Sequence, residues 1–188
     1  MLTRLQAFGR TSLHDSMLSK NSSIGTIFRN NTVITKFNEL YFLMNADVPG
    51  NCFQGCVSLR EVSLPKNLVE IPGGTSSFKN NSNLKVYFAE GYKNLKYSSF
   101  GSGCNNVTLV LPTTFVSLAS GALYDGSNYV IIIKAVTPLT LTVVANRVSK
   151  VYVPDNSVDA YKAANGGLAS KIYALSQYKE SIVSPVWR

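Results

Sequence analysis

The stretch from Cys52 to Phe78 reads CFQGCVSLREVSLPKNLVEIPGGTSSF, and its apolar residues follow neither the period of a helix nor that of a hairpin. Val62 and Leu64, separated by one residue, indicate a short strand with one buried face, which Pro65 closes. Steps of three residues before and after this strand are typical of turns and single helical turns. Because such a unit cannot bury its own apolar side, we expect neighbouring copies of it.

Similar units follow along the chain. Phe78 begins the stretch FKNNSNLKVYF, and Phe100 begins a further copy that continues through CNNVTLVLPTTFVSL. The spacing is 25 residues from Phe53 to Phe78, then 22 to Phe100 and 23 to Leu123. A period of this length predicts a solenoid, in which each unit covers the open face of its neighbour.

The pattern divides the chain into three parts. Residues 1–36 lack the repeat and carry five of the 18 basic residues against a single acid, Asp15. Such a segment either packs on the end of the solenoid or binds a partner in an assembly, and we predict the second, an assembly anchor. Residues 37–154 form the predicted solenoid, in which residues 37–52 are a degenerate first repeat that opens on Phe37, and residues 155–188 form a predicted helical cap and tail. The cap helix is expected to begin after Ser157 and to end at Asn165, and a second short helical segment is expected over residues 168–175. The residues proposed for the anchor are Arg4, Leu5, Phe8 and Arg10.

The charge and composition of the chain limit the classes of partner that it is expected to bind. The net charge is +8, which fits an anionic partner, but no run of basic residues and no aromatic-basic motif of nucleic-acid binding occurs, so nucleic acid is not expected. No apolar run reaches the ~18 residues of a membrane span. If Met1 is the natural start, the N-terminus carries no secretory signal.

The three cysteines are predicted to be reduced residues of the core. Their odd number argues against a complete disulfide framework. Cys56 and Cys104 each lie between the opening phenylalanine of a repeat and its next apolar residue, where a small buried side chain fits. The only histidine, His14, lies far from them in sequence, so no metal site is expected.

No catalytic constellation is expected either. A Ser-His-Asp or Cys-His arrangement would have to use His14, in the part of the chain that least resembles the repeat. The sequence contains no phosphate-binding loop, no dinucleotide-binding glycine motif and no HExxH motif. We therefore expect neither enzymatic activity nor a cofactor.

The outward side chains of the strands form the candidate binding site. Strand residues alternate between the two faces of a sheet, so the neighbours of the buried residues point outward. A continuous row of tyrosine, lysine and apolar side chains is suited to binding protein or sugar, although every solenoid has such a face. The predicted row consists of Glu61, Ser63, Lys85, Tyr87, Thr108, Val110, Ile132, Lys134, Lys150 and Tyr152.

Three phrases resemble the BspA-like leucine-rich repeats. The first spans residues 53–71 and follows the pattern FxxCxxLxxVxLPxxLxxI; KAVTP at 134–138 and VYVPDNSVDAYKAA at 151–164 resemble the lead-in and closing unit of that family. The resemblance covers residues 37–178 and departs from the usual link between repeats at IPGGTSSF, residues 71–78. It implies a β-rich solenoid of the α+β class, a short leucine-rich-repeat array with a C-terminal helical cap.

The resemblance implies a non-enzymatic binding or adhesion module, and two settings stay open. In the first, the protein is a structural or attachment component of a tailed-phage virion, with residues 1–36 on other virion proteins and the solenoid facing a host-surface protein or glycan. In the second, it is an adhesin module of the bacterial cell surface, which would be expected to carry a signal or lipid anchor and a longer array. The short array favours the virion, and homo-oligomerisation stays open.

Overall fold

The computed structural model describes residues 28–37, 51, 53–64, 77–95, 100–119, 121–123, 126–141 and 145–179. The strands in these ranges are β1 (Lys36–Phe37), β2 (Glu61–Leu64), β3 (Lys85–Phe88), β4 (Asn94–Leu95), β5 (Thr108–Leu111), β6 (Ser117–Leu118), β7 (Tyr129–Ile133), β8 (Val148–Val153) and β9 (Ile172–Ala174). An α-helix, α1, spans Val158–Ala164, and 3₁₀ helices span Ala145–Arg147, Asp155–Ser157, Gly166–Lys171 and Leu175–Gln177.

The larger of two parallel sheets organises the molecule. Its seven strands follow the order β1-β2-β3-β5-β7-β8-β9, so each strand pairs with the corresponding strand of the next repeat. The smaller sheet pairs β4 with β6 and is extended by a bridge between Leu118 and Leu141. A parallel ladder with regularly recurring strands confirms the predicted solenoid.

Period-two alternation along these strands builds the core. One inward residue from each of β2, β3, β5, β7, β8 and β9 lies in register with the next, and each of these six is at most 2% exposed. Apolar residues in register cover one another from repeat to repeat, which is how a solenoid buries a continuous core. This row, which we call the inner row, comprises Val62, Val86, Leu109, Ile131, Val151 and Ile172.

A stack of phenylalanine rings forms the second part of the core. The ring centroids of Phe28 and Phe53 lie 5.3 Å apart, those of Phe53 and Phe78 5.5 Å, and those of Phe78 and Phe100 5.2 Å. The first two pairs are parallel to within 4°. One opening phenylalanine per repeat therefore fills the same site of the solenoid in four successive units.

The solenoid begins before the predicted boundary at residue 37. Phe28 occupies the opening position of a repeat, and β1 pairs in parallel with β2, with Lys36 opposite Glu61 and Phe37 opposite Val62. Residues 28–37 are thus a repeat unit rather than part of a separate anchor. The predicted anchor residues Arg4, Leu5, Phe8 and Arg10 lie outside the described residues.

Asparagine makes the turns that the repeats require. Asn30, Asn80 and Asn106 adopt positive φ angles of 59°, 62° and 56°. Asparagine enters this left-handed region more readily than other residues with a side chain, because its short amide can bond locally. Asn51, Asn83 and Asn128 adopt similar positive φ angles, so asparagine recurs as a turn residue among the described repeats.

In each repeat, one buried side chain donates a hydrogen bond to the backbone carbonyl of the phenylalanine that opens the preceding repeat. The Cys56 thiol donates to the Phe28 carbonyl over 2.9 Å, and the Cys104 thiol donates to the Phe78 carbonyl over 3.0 Å. Asn81 takes the same place in the intervening repeat and donates to Phe53 and Phe78 over 2.7 and 2.8 Å. Cys56 and Cys104 are free, buried thiols, as predicted, and Cys52 lies outside the described residues.

Because these two thiols are buried, we expect the free energy of unfolding to fall in alkaline solution. Burial raises the pKa of Cys56 and of Cys104 from about 9 to about 11. Between those values the folded thiols keep protons that the unfolded chain has lost, so the free energy of unfolding falls as pH rises from 9 towards 11. Urea unfolding across this range measures the slope, which should become shallower in the Cys56→Ala/Cys104→Ala variant. An unchanged slope in that variant would contradict the assignment.

The C-terminal region differs from the predicted helical cap. Helix α1 begins after Ser157 and ends before Asn165, at the predicted positions, but the Ser157 side chain makes no capping hydrogen bond. A 3₁₀ helix and then β9 follow, and β9 pairs with β8. The chain over residues 168–175 was expected to be helical; residues 168–171 do lie in a 3₁₀ helix, but residues 172–174 form β9, the last strand of the sheet. The described solenoid therefore ends in a strand, and closure by a helical cap is not confirmed.

Candidate interaction face

The outward side chains of the larger sheet lie in two rows, which together we call the outer face. Parallel strands in register bring equivalent residues together, so each row crosses six of the seven strands, the first from β1 to β8 and the second from β2 to β9. The first row is Lys36, Glu61, Lys85, Thr108, Val130 and Lys150, and the second is Ser63, Tyr87, Val110, Ile132, Tyr152 and Tyr173.

The structure places nine of the ten predicted site residues in these rows. Lys134, the tenth, directly follows β7 and is exposed. Glu61, Ser63, Lys85, Tyr87 and Thr108 are half-buried, and Lys150 is exposed. Their role in binding a ligand stays a prediction.

Three members of the predicted row are buried, although they belong to no part of the main core. Val110, Ile132 and Tyr152 are 7%, 4% and 7% exposed and form a separate apolar cluster, which we call the outer cluster. Because these three side chains are almost fully buried, another part of the chain must cover them, as usually happens on both faces of a parallel sheet.

The cover is the segment from Leu175 to Tyr178, which we call the strap. After β9 the chain turns back over the sheet, and Leu175 and Tyr178 pack on the outer cluster. The Tyr178 ring lies edge-on to Tyr152, with centroids 5.1 Å apart. The Lys85 ammonium lies 5.0 Å from the Tyr87 ring centroid and 5.4 Å from that of Tyr178, within the range of cation–π attraction.

Hydrogen bonds hold the start of the strap in place. The Ser176 amide donates to the Asp155 carboxylate over 3.0 Å, and the Tyr178 amide closes the 3₁₀ turn on the Leu175 carbonyl, also over 3.0 Å. The bond from Ser176 lowers the pKa of Asp155, because it favours the charged carboxylate. The Asp155 carboxylate is exposed, so this attachment is screened by solvent.

The strap leaves two parts of the outer face open. At one end Lys36 and Glu61 form an ion pair of 2.7 Å, with side chains 58% and 29% exposed. At the other end the Lys150 ammonium lies 5.9 Å from the ring centroid of Tyr173, and both side chains are exposed. We call Lys150 and Tyr173 the open corner; it offers a cation and an aromatic face side by side.

Three residues of the outer face that sequence reasoning missed had a recognisable signal. Val130 lies two residues before Ile132, a member of the predicted row, so alternation alone places it on the same face. Lys36 precedes Glu61 by one repeat length, and Tyr173 repeats the Tyr152 position of VYV in the phrase IYA. Leu175 and Tyr178 gave no signal, because their position depends on how the chain turns after β9.

The described residues hold no other arrangement with an evident chemistry. They bring together no group of three or more histidine, cysteine, aspartate or glutamate side chains that suits a metal ion. In the part of the chain that the structure describes, no helix has the length and apolar character needed to cross a membrane.

Comparison with known proteins agrees with this architecture. The family model for the BspA type leucine-rich repeat region matches residues 46–146 in six copies, which is more than half of the 188 residues. No curated protein matches the chain. A domain built of such repeats is a module for protein interaction, and the chain belongs to the BspA-type leucine-rich-repeat family.

Proposed function

We propose that this protein is a non-enzymatic attachment component of a tailed-phage virion, which binds a host-surface protein or glycan through its outer face. The observation that supports this proposal is the open corner. Lys150 and Tyr173 present a charge and an aromatic ring that the fold does not bury. Aromatic and cationic side chains are the types that dominate recognition surfaces, since they combine large contact area with directional polar contacts.

The charge of the face favours an anionic or polar partner. Lys85, Lys134 and Lys150 belong to or adjoin it, whereas Glu61 is its only acid among the register rows and pairs with Lys36. A surface of this kind raises the encounter rate with anionic proteins or acidic sugars at low ionic strength. Salt should therefore weaken the binding.

The setting within a virion is supported by the N-terminal sequence. Residues 1–27 contain Arg4, Arg10 and Lys20 against one acid, Asp15, and lie outside the described repeats. We assign the assembly anchor to these 27 residues, with Leu5 and Phe8 as its apolar contacts. They replace residues 1–36 of the prediction, because residues 28–37 belong to the solenoid.

Fractionation tests the setting. The full-length chain should sediment with gradient-purified phage particles, and a chain that starts at residue 28 should be absent from them. Recovery of the full-length chain in the bacterial outer-membrane fraction instead would favour the second setting, an adhesin of the cell surface.

A paired set of variants tests the binding role of the open corner. The Lys150→Ala/Tyr173→Ala variant should bind intact host cells at least ~5-fold more weakly than the wild type, because truncating an interface residue that contributes to binding costs about 1 kcal/mol or more. Lys93→Ala is the matched control, because Lys93 is also exposed but adjoins β4 of the smaller sheet. Equal binding by the double variant and the wild type would remove the open corner from the site.

A further inference from the structure

The strap occupies the middle of the face to which the proposed function assigns binding. It covers the outer cluster, which would otherwise be an apolar strip between the two open ends of the face. Leu175 supplies an aliphatic contact and Tyr178 an aromatic one, three positions apart on a single 3₁₀ turn. The strap therefore indicates which side chains the outer cluster can bind, namely an aliphatic side chain and a tyrosine three positions apart.

We propose that the strap is an internal competitor, and that the outer cluster receives a partner protein segment with an aliphatic residue and a tyrosine three positions apart. This inference rests on the proposed function, because it takes the outer face as the binding face, and it selects protein rather than glycan as the ligand. The strap must lift before that segment can bind.

The contacts of the strap are of a kind that a ligand can replace. Tyr178 meets Tyr152 edge-on at 5.1 Å and meets the Lys85 ammonium at 5.4 Å, and another tyrosine would make both contacts equally well. The Ser176 amide is held by the Asp155 carboxylate, which is exposed and which water can solvate when the strap lifts. By contrast, the side chains of the inner row are fully enclosed and cannot exchange partners without unfolding.

The layout also explains why a cover is needed. Val110, Ile132 and Tyr152 come from three adjacent strands and form one continuous apolar surface. Such a surface, left open on a parallel sheet, would favour association with other chains. A strap that closes it in the absence of a partner keeps the binding face available without leaving it exposed.

Titration with a peptide tests the proposal. The probe is the acetylated and amidated peptide ALSQYK, which copies residues 174–179, and the readout is the amide chemical shifts of β5, β7 and β8 in the ¹⁵N-labelled full-length protein. In the Leu175→Ala/Tyr178→Ala variant, which empties the outer cluster, the peptide should bind at least ~5-fold more tightly than in the wild type, since the competing contact is gone. The peptide AASQAK, which lacks both anchoring side chains, should not bind.

Two further variants complete the design. Gln177→Ala changes an exposed residue of the same turn and should behave as the wild type. Asp155→Ala loosens the strap from an exposed position and should give an intermediate affinity for the peptide. Equal affinity in all variants, or no binding to an emptied cluster in a folded protein, would overturn the proposal. A loss of the native spectrum in the Leu175→Ala/Tyr178→Ala variant would also overturn it, because the strap would then be a fixed part of the fold.

The outcome separates this inference from the proposed function. Host-cell binding could depend on the open corner while the peptide fails to bind the emptied cluster. In that case the outer face binds a ligand of another chemistry, such as a glycan, and the strap is not a competitor. If the peptide binds the emptied cluster but the open corner is dispensable for host cells, the internal competition stands, while the open corner is removed from the site and the proposed function loses the observation that supports it.

Discussion

Replacing Phe78 with alanine should lower the free energy of unfolding by about 3–5 kcal/mol, the usual cost of emptying a phenylalanine site in a core. Phe78 is fully buried and contacts a ring on each side, Phe53 at 5.5 Å and Phe100 at 5.2 Å. The cavity would lie between two repeats, and the stability of a solenoid depends on the interfaces between neighbouring units. Both interfaces of this repeat should weaken together.

Thermal unfolding measures the effect of Phe78→Ala. For a chain of this length, about 1 kcal/mol corresponds to roughly 2–4 °C in the melting temperature, so the midpoint should fall by about 10 °C. Val57→Ala is the control, because Val57 is 54% exposed and its loss should stay within about 0.5 kcal/mol. A midpoint within 2–3 °C of the wild type would show that the ring stack contributes little to stability.

The inner core could be predicted because it depends on local alternation. Val62 and Leu64 are separated by one residue, and this spacing alone places both on one face of the strand. The same rule placed the outward residues on the outer face, since a strand has only two faces. What each outward residue contacts does not follow from alternation, so the burial of Val110 and Tyr152 could not be predicted.

The start of the array was misplaced for a physical reason. Phe37 was interpreted as the opening phenylalanine of a degenerate repeat, but it is the inward strand residue that pairs with Val62. A large apolar side chain fits either site, since both are buried in the same core. Phe28, which stacks on Phe53, is the true opening residue of that repeat.

The last strand was missed because its sequence also fits a helix. Leu168, Ile172 and Leu175 have helical spacing, four and then three residues apart. Pairing with β8 decides between the alternatives: Ile172 lies opposite Val151 and joins the inner row. The edge of β8 is available for pairing with β9, and no local sequence pattern reveals such a partner. The position of the strap could not be predicted either, because the strap directly follows β9.

The Asn165→Ala variant should lose about 3 kcal/mol of stability, the second largest effect expected here, at roughly 1 kcal/mol for each hydrogen bond removed. The Asn165 amide nitrogen donates to the carbonyls of Leu139 and Tyr161 over 2.8 and 3.0 Å, and its oxygen accepts from the Leu141 amide over 2.7 Å. The side chain was expected only to end a helix. Its larger role is to join the turn before β8 to the helix before β9.

Loss of this side chain should loosen the turn at residues 139–141 and the end of α1 before the rest of the solenoid. Asn165 is 7% exposed, so water cannot readily replace it, and the Leu141 amide would be left buried without a partner. Hydrogen exchange at the Leu141 amide should become much faster in Asn165→Ala, whereas the amides of β2 and β3 should keep their protection. Asn146→Ala, at an exposed asparagine, should change neither quantity. If the Leu141 amide stays protected in Asn165→Ala, the link between the turn and the helix does not depend on Asn165.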